Sequence, residues 1–249
     1  MPPAPFHPFG PLHAVTVAIV LGVIALVVGA GRRVGVERAK TGGRALGVLL
    51  LAYYIAEGCL RTFHMGVPAM LMIPGEICSA LFFIGAFAFL TQNRVAYEVL
   101  FFWTFAGTLH SLITPTPLEG WPSLEYVRYF TTHGLLILSA TYAVLALDRD
   151  MTRWSLVRAA IALQVWELIV AGVDLLLDQN FMYLRYPPPS PTLIDALGPW
   201  PVYLVSLEVV ALLSFAVWLA ILTLVRRVLP VREPTDGSAA SAAVRSDGA

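Results

Sequence analysis

One cysteine and a set of acids and histidines stand where chemistry would need them. Cys78 follows Pro74-Gly75, a pair that loosens the start of an apolar helix. A thiol with a neighbouring base and access to water is a nucleophile for acyl transfer; without them it is a small buried hydrophobe. Both readings stay open on the residue alone. Around it, the apolar stretches carry His13, Glu57, Glu76, His110, His133, Asp174 and Glu208. Ionisable groups are costly at membrane depth, so each is a candidate for function. Competing structural roles are visible. Glu57 and Arg61 are spaced as an ion pair on one helix face. Gln164, Glu167, Ala171 and Asp174 form a stripe suited to interhelical hydrogen bonds. His110 continues a face with Trp103 and Gly107, as a packing seam would.

Two other membrane chemistries can be tested by residue type. A retinal Schiff base needs a buried lysine, and the single lysine, Lys40, falls in a basic stretch between apolar segments. A zinc hydrolase needs about three protein ligands and an open water position. His64, His110 and His133 fall on one side, but they lie on three different elements and no HExxH or His-x-x-x-His pair occurs. No metal and no cofactor are expected. A metal-dependent lipid hydrolase is the least favoured reading.

The elements that position these groups follow from composition. Of 249 residues, 58% are hydrophobic and 13% are charged, with a mean hydropathy of +0.75. Soluble domains carry about 25% charge, so a soluble enzyme is excluded. The 16 Lys/Arg balance 16 Asp/Glu, which gives no basic excess for nucleic acid. The chain reads as an all-α polytopic membrane protein with seven transmembrane helices. They are predicted at about Leu12–Ala30, Arg44–Phe63, Met70–Leu90, Ala96–Ile113, Arg128–Leu147, Leu156–Leu177 and Pro201–Leu224. Thirteen Lys/Arg fall on one side and three, Arg61, Arg128 and Arg185, on the other. This bias predicts an amino terminus outside and a carboxyl terminus in the cytoplasm. Residues 1–11 then form an extracytoplasmic leader, 12–228 the membrane domain and 229–249 a disordered cytoplasmic tail.

With that topology, the acids, histidines and Cys78 gather in the outer half of the bilayer, and Glu98 is the one comparable residue near the inner face. The pattern predicts a single polar cavity open toward the outer leaflet. The longest connecting stretch, Asp178–Trp200, is also outside. It holds a Pro-rich run and a predicted helical turn, TLIDALG.

Several phrases, taken in order, carry a resemblance: IPGEICS (73–79), FFWTFAGTLHSLITP (101–115), YFTTHG (129–134), NFMYLR (180–185) and TLIDALGPWPVYL (192–204). Over roughly Phe6 to Leu224 the chain resembles the YwaF-like bacterial integral membrane proteins, related to the eukaryotic transmembrane protein 164 family. The resemblance implies acyl exchange between glycerophospholipids, with Cys78 as nucleophile and His133 as its base. A neighbouring lipid-hydrolase family implies transfer to water as an alternative. The resemblance also marks Asn180, Tyr183, Arg185, Asp195 and Trp200 as an outer-loop motif. The bacterial pattern places a histidine two residues before the cysteine, where this chain has Glu76.

The expected function is therefore acyl transfer or acyl-ester hydrolysis in a bacterial plasma membrane, with membrane lipids or fatty-acyl esters as partners. The competing class is a non-catalytic membrane protein that binds lipid or a small molecule, such as a transporter, sensor or assembly factor.

Overall fold

A computed structural model describes residues 5–115, 119–188 and 193–229. Among them the chain is helical, and no sheet forms; one isolated bridge joins Pro5 to Glu119. Among the described residues, five helices are long and apolar enough to cross a membrane. These are α1 (Pro11–Arg33), α2 (Val36–Phe63), α6 (Leu124–Thr141, prolonged by a π turn over Tyr142–Ala146), α7 (Arg153–Leu177) and α8 (Val202–Val228). Between them lie a shorter helix, α3 (Ile77–Thr91), and a continuous rod made of α4 (Arg94–Trp103), a π turn (Thr104–Thr108) and α5 (Leu109–Ile113).

The interior is built by the rod and by α6. Every residue of α4 from Ala96 to Trp103 is buried, and α6 is largely buried, whereas α1, α2, α7 and α8 present most of their surface outward. The outward residues are apolar, among them Leu26, Leu168 and Leu176. That arrangement suits a lipid surround, in which packing rather than apolar burial holds helices together. Small residues permit it. A Cβ at Gly47 of α2 would sit 3.0 Å from Phe89, and one at Gly85 of α3 would sit 2.9 Å from Leu50. The α2–α3 seam is thus closed by backbone approach.

Three predicted boundaries are corrected. The second segment begins at Val36, not Arg44, because only Val34 and Gly35 separate α1 from α2. Arg38, Lys40 and Arg44 therefore lie on the helix itself. The third predicted segment, Met70–Leu90, is only half helical. Ala69–Met72 forms a short 3₁₀ turn, the chain then runs irregularly through Pro74-Gly75, and α3 starts at Ile77. At 1.5 Å per residue its 15 residues reach roughly 22 Å, short of a full hydrocarbon core. The fifth begins a turn early, at Leu124, because Ser123 caps it by accepting from the Tyr126 N–H at 3.1 Å. Of the predicted turn TLIDALG, Leu193–Leu197 forms a 3₁₀ turn, and Thr192 lies outside the described residues. Of the predicted tail, residues 230–249 lie outside the described residues, as do residues 189–192 of the Pro-rich run.

The Arg-rich end of the bundle is clasped rather than open. Arg32 and Arg226, from α1 and α8, meet Asp148 at 3.3 and 3.0 Å. Arg149 bonds Gln92 and lies 4.7 Å over the Tyr97 ring. Glu98, fully buried, accepts from Arg158 at 2.6 Å through both of its oxygens, from Ser155 at 2.8 Å and from Arg94 at 3.1 Å. Its place is structural: it ties α4 to α7, and a buried carboxylate so saturated is satisfied.

Candidate functional site

Cys78 lies in the first turn of α3, two residues after Glu76. The late start of this helix brings the cysteine to its amino end, where backbone N–H groups have no intrahelical partner and favour negative charge. The Cys78 Sγ stands 3.5 Å from the hydroxyl of Thr108, which is completely buried. Thr108 is the last residue of the π turn in the α4–α5 rod. One extra residue in a helical turn rotates the downstream residues by about 100°, and such turns recur at functional sites.

His133 is half-buried on α6. Its Nδ1 lies 2.7 Å from the Tyr129 carbonyl. A carbonyl can only accept, so Nδ1 carries the proton and Nε2 holds the lone pair, as a general base requires. The Tyr129 ring packs 4.3 Å from the imidazole, centroid to centroid, and its hydroxyl donates to the Ser111 carbonyl at 3.1 Å. The imidazole is thereby held in orientation. α3, the π turn and α6 pack against one another, so Cys78 and His133 sit on neighbouring elements. No hydrogen bond joins the two side chains.

A cap lies over this end of the bundle. Phe181 is buried against Gly75. Its N–H donates to Asp174 Oδ1 at 2.9 Å, and the next N–H, of Met182, donates to Glu76 Oε1 at 3.3 Å. Met182 and Tyr183 both have φ near +55°, a left-handed conformation that costs roughly 1–2 kcal/mol per residue outside glycine. Several anchors hold it. The Asn180 Oδ1 accepts from the Arg185 N–H at 2.9 Å, and Arg185 reaches the Asp174 carbonyl at 3.2 Å and Asp178 at 2.9 Å. Trp200 donates to the Leu184 carbonyl at 3.1 Å, and the Tyr203 hydroxyl to that of Tyr183. The loop-motif residues Asn180, Tyr183, Arg185 and Trp200 thus build the cap, through side chain or backbone. Asp195 is exposed in its 3₁₀ turn.

The remaining sequence candidates disperse. His13 uses both ring nitrogens, bonding Leu112 O at 2.8 Å through Nε2 and accepting from the Phe9 N–H at 3.0 Å. It is a buried structural histidine joining α1 to α5. His110 is exposed. Glu57 meets Arg128 of α6 at 3.0 Å and Arg61 only at 3.8 Å, so its closer ion pair runs between helices and not along its own. Glu208 accepts from Gln164 at 2.6 Å, linking α8 to α7. Asp174, on the same predicted stripe, turns to the cap instead. Among the described residues no three His, Cys, Asp or Glu are placed to hold a metal ion. Sequence reasoning missed Thr108, Tyr129 and the Arg128–Glu57 pair. A threonine and a tyrosine in apolar runs give no periodic signal, and the π turn that orients Thr108 is invisible in residue order.

The helical architecture, the apolar outward faces and the polar groups held inside together define a multi-pass membrane protein. Within that class the chain belongs to the TMEM164 family, whose family model matches residues 7–219. Comparison with curated proteins and with solved structures found no match.

Proposed function

We propose that this protein is a seven-span plasma-membrane enzyme, amino terminus outside, that moves fatty-acyl groups between lipid esters through Cys78 and His133. The observation that supports this best is the pairing of a thiol beside the buried Thr108 hydroxyl with an imidazole locked as the Nε2 base on an adjoining helix. The reading also rests on family membership.

In the first half-reaction, the Cys78 thiol gives its proton to His133 Nε2 as sulfur attacks the ester carbonyl of a donor lipid. The tetrahedral intermediate collapses with loss of the lysolipid alkoxide, which takes the proton back from the imidazolium. A thioester on Cys78 remains. In the second, a lysolipid hydroxyl loses its proton to Nε2 and attacks the thioester, and the departing thiolate is reprotonated. Water in place of the lysolipid gives hydrolysis. A water-poor surround opposes a standing thiolate, so proton removal accompanies attack. Thr108 is placed to bond the sulfur throughout, and the cap restricts entry of water from the loop side.

The test is purified protein in liposomes with a lysophospholipid acceptor and a phospholipid labelled in its acyl chain. Label is expected to pass to the acceptor in the wild type and not in Cys78→Ala or His133→Ala. Full transfer by either variant overturns the pair. One feature favours a second reading, a lipid-binding membrane protein without chemistry: no hydrogen bond joins Cys78 to His133. Saturable lipid binding with no transfer in the wild type would decide for it.

A further inference from the structure

Away from Cys78, at the Arg-rich end, a cleft of about 690 Å³ runs between α3, α4 and α7. That volume is in the range of small-molecule sites. Its walls are apolar along most of their length, with Phe87 and Val165 at the exposed rim and Trp103 below. Trp103 makes the floor because its indole donates to the Ala159 carbonyl at 3.1 Å and draws α4 against α7. The two polar residues that line it, Asn93 and Arg158, are at one end. From Arg158 to Ile169 along α7 is roughly 16 Å, the scale of one long acyl chain.

The charge at the polar end is uneven. Arg158 and Arg94 share the single Glu98 carboxylate, so two guanidiniums face one acid. Arg158 bonds Glu98 through Nε and Nη2, which leaves Nη1 for another acceptor. The Asn93 oxygen caps α4 by accepting from the Ala96 N–H at 3.0 Å, which leaves its amide hydrogens as donors. Arginine's planar fork suits phosphate oxygens, and basic pockets between membrane helices select acidic lipid headgroups.

We propose that this cleft holds one acidic glycerophospholipid, its phosphate on Arg158 and Asn93 and one acyl chain along α7. The site is separate from Cys78 and does not depend on that residue acting.

The test is native mass spectrometry of the protein released from nanodiscs of equal phosphatidylglycerol and phosphatidylcholine. One retained lipid is expected, with phosphatidylglycerol favoured about fivefold, the value of one nearby arginine. Val165→Trp, at an exposed position, should fill the cleft and remove the bound lipid without loss of helix by circular dichroism. The triple variant Arg94→Gln/Glu98→Gln/Arg158→Gln removes all three charges without stranding a carboxylate, and should retain lipid with no headgroup preference. Equal retention of both lipids by the wild type overturns the proposal. So does unchanged retention in Val165→Trp, or a lipid-free dimer that this variant dissociates, which would make a second copy the occupant.

Discussion

Gly75→Ala is the most discriminating substitution at the Cys78 end. A Cβ built on Gly75 would lie 2.3, 2.6 and 2.8 Å from three carbons of the Phe181 ring. Ordinary contact begins near 3.4 Å, so the ring must retreat by about 1 Å or leave. It has little freedom to retreat. Phe181 is buried, its N–H is held by Asp174, and the next two residues are in left-handed backbone. Overpacking of this kind costs about 1–3 kcal/mol if the ring stays. If it is expelled, the loss of its burial is of similar size, about 1.5–3 kcal/mol, and the cap comes away from the α3 start. A matched control is Gly172→Ala in α7, where nothing lies within 4 Å of the added carbon; removing a mid-helix glycine should be neutral or stabilising by up to about 1 kcal/mol. Two readouts apply to detergent-solubilised protein. Thermal melting followed by size-exclusion chromatography should show Gly75→Ala several degrees below wild type and Gly172→Ala at or above it. Emission from Trp200, which is tied to the same cap through Leu184, should shift in Gly75→Ala alone. If Gly75→Ala melts with the wild type and leaves that emission unchanged, the cap does not rest on Gly75 and the reasoning fails.

Other contacts can be tested in the same way. Arg158→Ala removes two of the four hydrogen bonds to the buried Glu98 and should lower the melting temperature, while pairing it with Glu98→Leu should restore part of that loss; equal melting of the single and double variants would refute the pair. A membrane-permeant maleimide should label the exposed Cys59 well before the half-buried Cys78, as read by peptide mapping; faster labelling at Cys78 would contradict its enclosure. Thr108→Val keeps the volume near Cys78 but removes the hydroxyl at 3.5 Å; it should lower acyl transfer at least about tenfold with a melting shift worth roughly 1 kcal/mol, and unchanged transfer would remove Thr108 from the site.

Much of this architecture is legible in residue order because a lipid solvent imposes long apolar runs that composition cannot hide. Among the described residues the five membrane-length helices fall on predicted segments, and Leu193–Leu197 forms a turn where one is predicted. The third segment departs from its prediction because hydropathy counts apolar residues whether helical or not. Met70–Ile73 is apolar, yet Pro74 and Gly75 break the helix behind it. Glu57 shows a related limit. The i,i+4 rule finds Arg61, while the nearer cation, Arg128, is 71 positions away on another helix. Hydrogen-bond partners across a bundle are long-range facts, and no spacing encodes them.

By itself the sequence determined the solvent this protein lives in, where its long apolar helices run and the small set of residues able to do chemistry there. Those follow from transfer energies that each residue carries with it. Only the tertiary structure decided how those residues divide. Packing used both nitrogens of His13 in holding α1 to α5, saturated Glu98 with arginines and drew Asp174 into the cap. It also set Thr108 beside Cys78 and left His133 a free Nε2. A side chain's role depends on which of its polar atoms remain unpaired after packing, and that is settled between helices rather than within them.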